Sequence, residues 1–190
     1  MNAISDPTVS FPSLPEDGVP GTYFRDVLGN YPTGVVFISA VGADGEPVGM
    51  VVGSFTSVSL DPPMVAFLAD RKSTTFPKIR EAGRFVVNVM ASDQVSTCKA
   101  LGSKSPDRFD RVAWSPSEAG VPVIDGGVAR IDCEFDEVVD AGDHLIALAR
   151  VVDLKVVSDK LPLVFFRGEY GAFRRGQPTH VSDWFDDGWG

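Results

Sequence analysis

Short runs of alternating or continuously apolar residues, separated by turn-forming residues, dominate this chain. Such runs are typical of β-strands when Gly, Pro, Asn or Asp bound them. The pattern predicts strands at 35–41, within 49–63, and at 64–69, 84–90, 128–139, 145–157 and 163–166. Turn residues at 43–45 and 140–143 join neighbouring strands as hairpins. Many short strands with few helices predict a mainly β protein whose antiparallel sheet closes into a barrel.

Three segments carry helical signals instead. The first has apolar residues at the helical spacing i, i+3, i+4 and i+7, namely Phe24, Val27, Leu28 and Tyr31. The second follows the polar segment 70–75 and ends near Arg80. The third is capped by Ser92 and Asp93 and ends near Leu101. A few short helices therefore accompany the predicted barrel.

The two ends of the chain show no periodic pattern. Residues 1–21 contain four prolines and predict a flexible arm, and residues 174–190 form a tail whose aromatic residues suit subunit packing. The region 22–173 between them has no repeat, low-complexity tract or internal boundary. A chain of 190 residues fits one domain, and a domain of this size buries roughly 70% of its unfolded surface.

Charge and composition exclude several classes of protein. A net charge of −9 argues against nucleic-acid binding, which needs clustered Lys and Arg. No apolar run approaches the roughly 20 residues of a membrane span, and no basic-then-apolar leader is present, so we expect a cytoplasmic protein. Cys98 and Cys133 are predicted to be buried free thiols, and two histidines are too few for a His-rich metal site. The GxGxxG, P-loop and HExxH motifs are absent from the sequence.

The stretch 49–63, GMVVGSFTSVSLDPP, carries hydroxyl groups where a sheet usually places Val or Ile. A buried hydroxyl needs a hydrogen-bond partner, because leaving it unsatisfied costs about 1–3 kcal/mol. The partner is either local backbone or a polar ligand lying on the sheet, and the spacing of the residues leaves both interpretations open. Basic and hydroxyl residues at 71–75, before the second helix, suit an anion site, or simply a capped helix with solvated charges.

Six segments in order resemble the flavin reductase family: PTGV at 32–35, SFTSVSLDPP at 54–63, RFVVNV at 84–89, GSKSPDRF at 102–109, GDH at 142–144 and PLVFFRGEY at 162–170. The resemblance covers 22–173. It implies a split β-barrel of the Greek-key, FMN-binding type, built as a homodimer. It also implies hydride transfer from NADH or NADPH to FMN or FAD, and delivery of the reduced flavin to a separate monooxygenase.

The same resemblance implies which residues hold the flavin. Those that edge the isoalloxazine and ribityl chain are Gly49, Met50, Val51, Gly53, Ser54, Phe55 and Thr56. Those that cover the phosphate end are Leu68, Ala69, Asp70, Ser73, Thr74 and Thr75. Many family members carry polar residues at the positions of Val51 and Gly53, so their replacement here predicts weak, exchangeable flavin binding.

Other roles depend on the resemblance as well. His144 matches the family histidine that lies against the nicotinamide, although a turn histidine bonded to Asp143 is the ordinary interpretation. Close relatives have Arg-Phe where this chain has Ala100-Leu101, so the flavin contact of that Arg is missing here. Lys104 or Arg108 could substitute for it, and the alternative is that both are exposed loop charges. The resemblance places Phe166, Gly168 and Tyr170 in the segment that closes over the nicotinamide side. The alternative is that this aromatic strand end belongs to the core.

Two alternative functions remain compatible with the sequence. One is a flavin-binding or electron-transfer protein that does not oxidise a nicotinamide, which the altered residues Val51, Gly53 and Ala100 favour. The other is an oxidase of the pyridoxamine phosphate oxidase type. That reaction needs a basic phosphate pocket for its substrate, which the acidic composition does not indicate.

Overall fold

The computed structural model describes residues 18–174, so the predicted arm up to residue 17 and the predicted tail from residue 175 lie outside the described residues. Within this range the helices are α1 (Gly21–Leu28), α2 (Phe76–Ala82) and α3 (Val95–Gly102). The strands are β1 (Thr33–Gly34), β2 (Val36–Val41), β3 (Pro47–Val52), β4 (Thr56–Leu60), β5 (Pro63–Asp70), β6 (Arg84–Val89), β7 (Trp114–Pro116), β8 (Pro122–Ile124), β9 (Ala129–Ala141), β10 (His144–Val156), β11 (Leu163–Phe166) and β12 (Glu169–Ala172). None of the helices in the described range is long and apolar enough to cross a membrane.

The strands form three antiparallel sheets. The largest has the order β3-β2-β6-β9-β10-β5-β4, a second has the order β1-β11-β12, and the third is the β7–β8 hairpin. The prediction of a mainly β fold with a few short helices is confirmed. Strands β2, β5, β6, β9, β10 and β11 lie within two residues of the predicted bounds.

The seven-stranded sheet surrounds the main hydrophobic core. Every strand of this sheet except β4 contributes buried residues to that core, and α2 adds Phe76 and Ile79. Aromatic rings fill its centre: the Phe67 ring centroid lies 5.5 Å from that of Phe85 and 5.9 Å from that of Phe76. Edge-to-face pairs of this kind contribute about 0.5–1.5 kcal/mol each beyond the area that they bury. The sheet therefore curves around one packed interior.

Backbone closure of this sheet, which the sequence predicted, is not observed. In the described part of the chain, β3 and β4 are the two edges, and no strand pairing joins them. The Ser54 hydroxyl accepts from the Leu68 N–H at 3.0 Å and donates to the Leu68 C=O at 3.2 Å. The Ser54 side chain thus takes the backbone hydrogen bonds of β5 just beyond the end of β4. A continuous ladder from β3 to β4 does not form.

The expectation of a buried, hydroxyl-bearing strand within 49–63 is wrong for β4. Four of its five residues are exposed, and the Leu60 side chain is 86% exposed. As the outermost strand of the sheet, β4 leaves its Ser and Thr hydroxyls accessible to water. Of the two partners considered for these hydroxyls, backbone is the one that Ser54 uses.

A second hydrophobic core lies on the outer face of β2, between that strand, α3, β8 and β11. Two buried polar residues connect β8 to this face. The Asn88 amide donates to the Phe37 C=O at 3.0 Å and to the Ser39 hydroxyl at 2.9 Å, and its oxygen accepts the Ile124 N–H at 2.8 Å. The region 112–127 therefore contains the docked β7–β8 hairpin.

The start of α3 differs from the prediction as well. The helix begins at Val95, after the predicted caps Ser92 and Asp93. The Asp93 carboxylate pairs with the Lys160 ammonium at 2.8 Å, so it does not cap the helix. The Gln94 side chain instead accepts the Ala91 N–H at 2.9 Å.

Candidate functional site

A groove of about 620 Å³ opens beside β3. Its walls come from three segments that are distant in sequence: the turn and strand 42–51, the segment 72–78 that leads into α2, and the loop 101–108 after α3. Eight of the predicted cofactor-binding residues line it: Gly49, Met50, Val51, Ser73, Thr74, Thr75, Lys104 and Arg108. The fold thus brings together the predicted sheet edge and the predicted anion loop.

The free edge of β3 gives this groove a row of backbone hydrogen-bonding groups. The Gly49 C=O points away from β2, since it accepts a hydrogen bond from the loop residue Arg108 at 2.8 Å. Backbone groups alternate in direction along an antiparallel strand. The Gly49 N–H and the Val51 N–H and C=O therefore face the groove too.

Positive charge predominates among the side chains that line the groove. Four cations and two carboxylates are present: Lys72, Lys78, Lys104 and Arg108, with Asp44 and Glu46. The whole chain has a net charge of −9, so this local excess of cations is opposite in sign to that of the molecule. An anionic group of a ligand finds its counter-charges here.

Hydrogen bonds fix the loop that carries the predicted phosphate-binding residues. The Ser73 hydroxyl accepts the Phe76 N–H at 3.1 Å and the Thr75 N–H at 3.3 Å, so Ser73 caps the first turn of α2. The Asp70 carboxylate accepts the Lys72 N–H at 2.7 Å, where β5 ends. Asp70 thus shapes the turn and does not line the groove.

Arg108 is half-buried, and each of its side-chain hydrogen bonds goes to a backbone carbonyl. Its guanidinium donates to the Leu101 C=O at 3.1 Å, the Ser103 C=O at 3.3 Å and the Gly49 C=O at 2.8 Å. The carbon Cζ of Arg108 lies 5.7 Å from the centroid of the Phe109 ring. Removal from water lowers the pKa of the Arg108 guanidinium.

His144 lies next to the groove and does not line it. It is the first residue of β10, and its Nδ1 lies 2.7 Å from the Asp143 carboxylate. This hydrogen bond lowers the pKa of the Asp143 carboxyl. Across the sheet His144 pairs with Asp70, two residues before the groove residue Lys72. The ordinary interpretation, a turn histidine bonded to Asp143, describes its contacts.

Arg71 connects the His144 turn to the anion loop. Its guanidinium donates to the Asp140 carboxylate at 2.6 Å and to the Gly142 C=O at 2.7 Å, and its N–H donates to the Asp143 C=O at 3.0 Å. These three bonds hold the end of β5 against the β9–β10 turn.

The remaining predicted flavin residues lie behind or beside the groove. Gly53 packs on β1, because a Cβ there would lie 2.7 Å from the Thr33 hydroxyl. Ser54 is bonded to Leu68, and the partly buried Phe55 packs on the main core. Thr56 opens the exposed strand β4, and Ala69 is fully buried.

The predicted nicotinamide-side segment belongs to the small sheet. Phe166 lines a second cavity, of about 580 Å³, whose wall includes β1, and Gly168 occupies the β11–β12 turn with φ +82°. The Tyr170 hydroxyl lies 3.4 Å from the Cys98 sulfur. That hydrogen bond and burial raise the pKa of Tyr170 to about 12. Tyr170 thus packs on the second core.

Several groove residues were not predicted from the sequence: Asp44, Glu46, Lys78, Ser103 and Ser105. Lys78 lies in the first turn of α2, three residues after Thr75, so helical spacing already places it near the predicted anion loop. The others lie in turns, whose side chains carry no periodic signal. No cluster of three or more His, Cys, Asp or Glu residues that could hold a metal ion occurs in 18–174.

The fold and the groove together define a class of protein. A free strand edge offers alternating amide donors and acceptors, which suit a planar heterocycle with ring nitrogens and carbonyls. Lysines at the other wall suit a phosphate attached to that heterocycle. The arrangement is that of a mainly β protein whose groove, at a sheet edge, suits a nucleotide-type ligand.

Comparison with known proteins identifies the family. The model of the flavin reductase like domain matches residues 28–174, which is most of the chain. A flavin reductase of Pseudomonas putida is 51% identical over 151 residues, covering 80% of this chain and 89% of that protein. This chain belongs to the flavin reductase family.

Two further relatives agree with this assignment. The reductase subunit HsaB of a flavin-dependent monooxygenase from Rhodococcus jostii is 41% identical over 164 residues, covering 86% of this chain and 83% of that protein. The NADH:FAD oxidoreductase SgcE6 of Streptomyces globisporus, solved with NAD and FAD fragments, superposes with a TM-score of 0.75 at 32% identity. That alignment covers 84% of this chain and 94% of the solved chain.

Proposed function

We propose that this chain is an NAD(P)H-dependent flavin reductase that reduces FMN or FAD and supplies the reduced flavin to a separate flavin-dependent monooxygenase. Membership of the family and the reductase names of its relatives support this proposal. The observation that carries it is the groove itself, in which the free edge of β3 faces a set of lysines. A flavin presents the same two features, a ring with amide-like edges and a phosphate.

The residues present fit such a ligand. The Gly49 and Val51 backbone groups along β3 suit the carbonyls and nitrogens of the isoalloxazine. The hydroxyls of Thr74 and Thr75, with the neighbouring lysines, suit the phosphate. The predicted ring-edge contribution of Ser54 and Thr56 is limited, because Ser54 is bonded to the β5 backbone and Thr56 lies on an exposed strand.

Flavin and nicotinamide supply the hydride chemistry between them, so the protein contributes binding, orientation and the exclusion of water. The nicotinamide carbon that donates the hydride and the flavin nitrogen that accepts it must lie about 3–3.5 Å apart. Backbone groups on a rigid strand are suited to this task, because β3 is anchored to β2 along its whole length. This division of labour needs no strong acid, base or nucleophile.

We assign the nicotinamide side to His144. Its ring is 41% accessible and its Nδ1 is held by Asp143, so its Nε2 edge is available to a carboxamide. Its role is to orient the nicotinamide and not to act as an obligatory acid. Phe166 and Gly168, at the end of the small sheet, are the proposed cover of that side.

The proposed assembly is a homodimer in which each chain contributes one flavin reductase domain, residues 22–173, and the flavin cleft lies at the two-fold interface. The exposed apolar side chains of α1 and of the outer end of β10 support this assembly: Tyr23, Phe24, Val27, Leu28, Val152, Leu154 and Val156. In this assembly a second subunit would contribute further residues beside the groove and His144.

Steady-state oxidation of NADH and NADPH, followed at 340 nm with FMN, FAD or no added flavin, tests the function. Turnover that depends on added flavin is the expected result, and the same assay decides both cofactor preferences. We expect NADH to be the better donor, as in the name of the Streptomyces globisporus relative. A protein that keeps flavin through desalting and oxidises neither nicotinamide would contradict the proposal.

A further inference from the structure

Arg108 differs from the other cations of the groove in what it contacts. Its three hydrogen bonds all go to backbone carbonyls, two at the end of α3 and one on β3. No carboxylate among residues 18–174 forms an ion pair with it. Its charge is also partly withdrawn from water, which lowers its pKa. The contacts of this cation are therefore with backbone carbonyls of two different segments.

The two sets of carbonyls belong to opposite walls of the groove. Leu101 lies in the last turn of α3 and Ser103 is its C-cap, where carbonyls have no partner within the helix. Gly49 lies on the outer edge of β3, which has no neighbouring strand on that side in the described part of the chain. One planar guanidinium therefore bridges a helix end and a sheet edge, and this fixes the width of the groove between them.

The bridge holds the strand at Gly49, a buried residue that lines the groove. The packing at position 49 leaves no room for a side chain, because a Cβ there would lie 2.3 Å from the Phe37 ring. Its N–H and the neighbouring Val51 groups are the ones that meet the flavin ring in the proposed function. Any shift of β3 relative to α3 moves these groups out of register with the ring.

We propose that Arg108 is a positioning residue that fixes the β3 edge for the isoalloxazine ring, and that the flavin phosphate is bound by the groove lysines instead. This inference rests on the proposed flavin site and reassigns one of its residues. Lys104, which lines the groove and forms no ion pair within the described residues, is the matching phosphate ligand.

The two roles predict different ligand dependence. Riboflavin has the isoalloxazine ring and ribityl chain of FMN and lacks the phosphate. Loss of a positioning residue weakens both ligands by the same factor, whereas loss of a phosphate ligand weakens FMN alone. The ratio of the two dissociation constants is therefore the decisive quantity.

Titrations of FMN and riboflavin, followed by the quenching of flavin fluorescence, measure this ratio in the full-length protein. We expect Arg108→Met to weaken both ligands by about tenfold or more, as loss of a charged hydrogen bond does. Lys104→Met should weaken FMN and leave riboflavin unchanged. Arg111→Met, which removes a neighbouring exposed arginine paired with Asp107, is the control and should change neither. Weakening of FMN alone by Arg108→Met would overturn the proposal.

Hydrogen–deuterium exchange of the ligand-free protein tests the bridge independently of flavin. Amides of Val48, Met50 and Val52 face β2, and we expect them to exchange several-fold faster in Arg108→Met, with the β6 amides unchanged. Arg108→Lys retains the charge and should restore only part of the protection, because an ammonium cannot form the planar fork. Unchanged β3 exchange in both variants would refute the bridge. If wild-type protein bound neither flavin, the proposed function and the flavin roles of Arg108 and Lys104 would fail together, whereas exchange would still decide whether Arg108 forms the bridge.

Discussion

Gly49 shows how a single residue couples the core to the groove. A Cβ at this position would lie 2.3 Å from Phe37 Cζ and 2.5 Å from the Ile38 carbonyl oxygen, and Phe37 is fully buried. Neither neighbour moves cheaply, because Phe37 packs edge-to-face on Phe109 with centroids 5.8 Å apart. Glycine is therefore required here by packing.

We predict that Gly49→Ala lowers the free energy of unfolding by about 1–3 kcal/mol, the usual cost of overpacking a core. Chemical denaturation of the variant and wild type measures the difference. Gly171→Ala is the matched control, because a Cβ there meets nothing within 4 Å and its φ is not left-handed. Equal destabilisation by the two substitutions would show that the Phe37 contact does not matter.

The two cysteines illustrate a second effect of burial at the residue scale. Cys98 and Cys133 are both free and buried, as the sequence predicted. Burial raises the pKa of both thiols, that of Cys133 to about 12. At pH 8 only roughly one Cys133 in ten thousand is then a thiolate, and the thiolate is the reactive form.

We expect neither thiol to react with Ellman's reagent in the native protein at pH 8, and two equivalents to react after unfolding in guanidinium chloride. The absorbance of the released thiolate at 412 nm gives the count. A fast native equivalent would mean that one of these sites opens to solvent.

At the scale of elements, Arg71 holds two segments together that the proposed function uses separately. Its bonds to Asp140, Gly142 and Asp143 fix the β9–β10 turn, which carries His144, against the end of β5. The Arg71 and Asp140 side chains are largely accessible, so this ion pair adds little stability, roughly 0–1 kcal/mol. Its main effect is on the position of the turn.

We predict that Arg71→Met lowers kcat/KM for the nicotinamide about three- to tenfold, which corresponds to about 0.7–1.4 kcal/mol of lost positioning. Its melting temperature should change little. Arg84→Met removes an ion pair of similar exposure, to Glu134 on the body of the sheet, and should leave the kinetics unchanged. If both variants had wild-type kinetics, the turn would not need Arg71 for its position.

The long elements could be predicted from the sequence and the short ones could not. Period-two alternation in β9, for example at Ile131, Cys133 and Phe135, places one face inward over many residues, so the signal accumulates. The strands β1 and β7 have two and three residues, too few for a period to show. They form because tertiary partners supply their hydrogen bonds, as Asn88 does for the neighbouring β8.

The candidate site likewise contains residues that could be predicted from the sequence and residues that could not. The resemblance and the hydroxyl-rich pattern indicated the β3 edge and the 73–75 loop, and the fold places both in one groove. The position of Lys78 near this loop follows from helical spacing, whereas the turn residues Asp44 and Glu46 carry no periodic signal. The contacts of Arg108 depend on where α3 ends, and the sequence therefore left its role open.

On the scale of the whole molecule, α1 is the feature that a single chain does not explain. None of its residues is buried, and Phe24 is 56% exposed. An isolated helix of eight residues is unstable in water. Only its end is fixed, because the Arg167 guanidinium donates to the Asn30 side chain at 2.6 and 2.9 Å. A cover for the apolar face is therefore expected, and a second copy of the chain is the proposed one.

We predict that the wild-type protein sediments as a dimer at micromolar concentration, and that Phe24→Asp raises the dimer dissociation constant by tenfold or more. A buried aromatic anchor replaced by a charge commonly costs at least 1.4 kcal/mol of association energy. Asp26→Asn, on the polar side of the same helix, is the matched control and should leave the dimer intact. Sedimentation equilibrium across a range of loading concentrations provides both constants. A wild-type monomer, or a Phe24→Asp dimer of unchanged affinity, would show that α1 is covered by another part of its own chain, and the proposal that the second subunit completes the site would then fail with it.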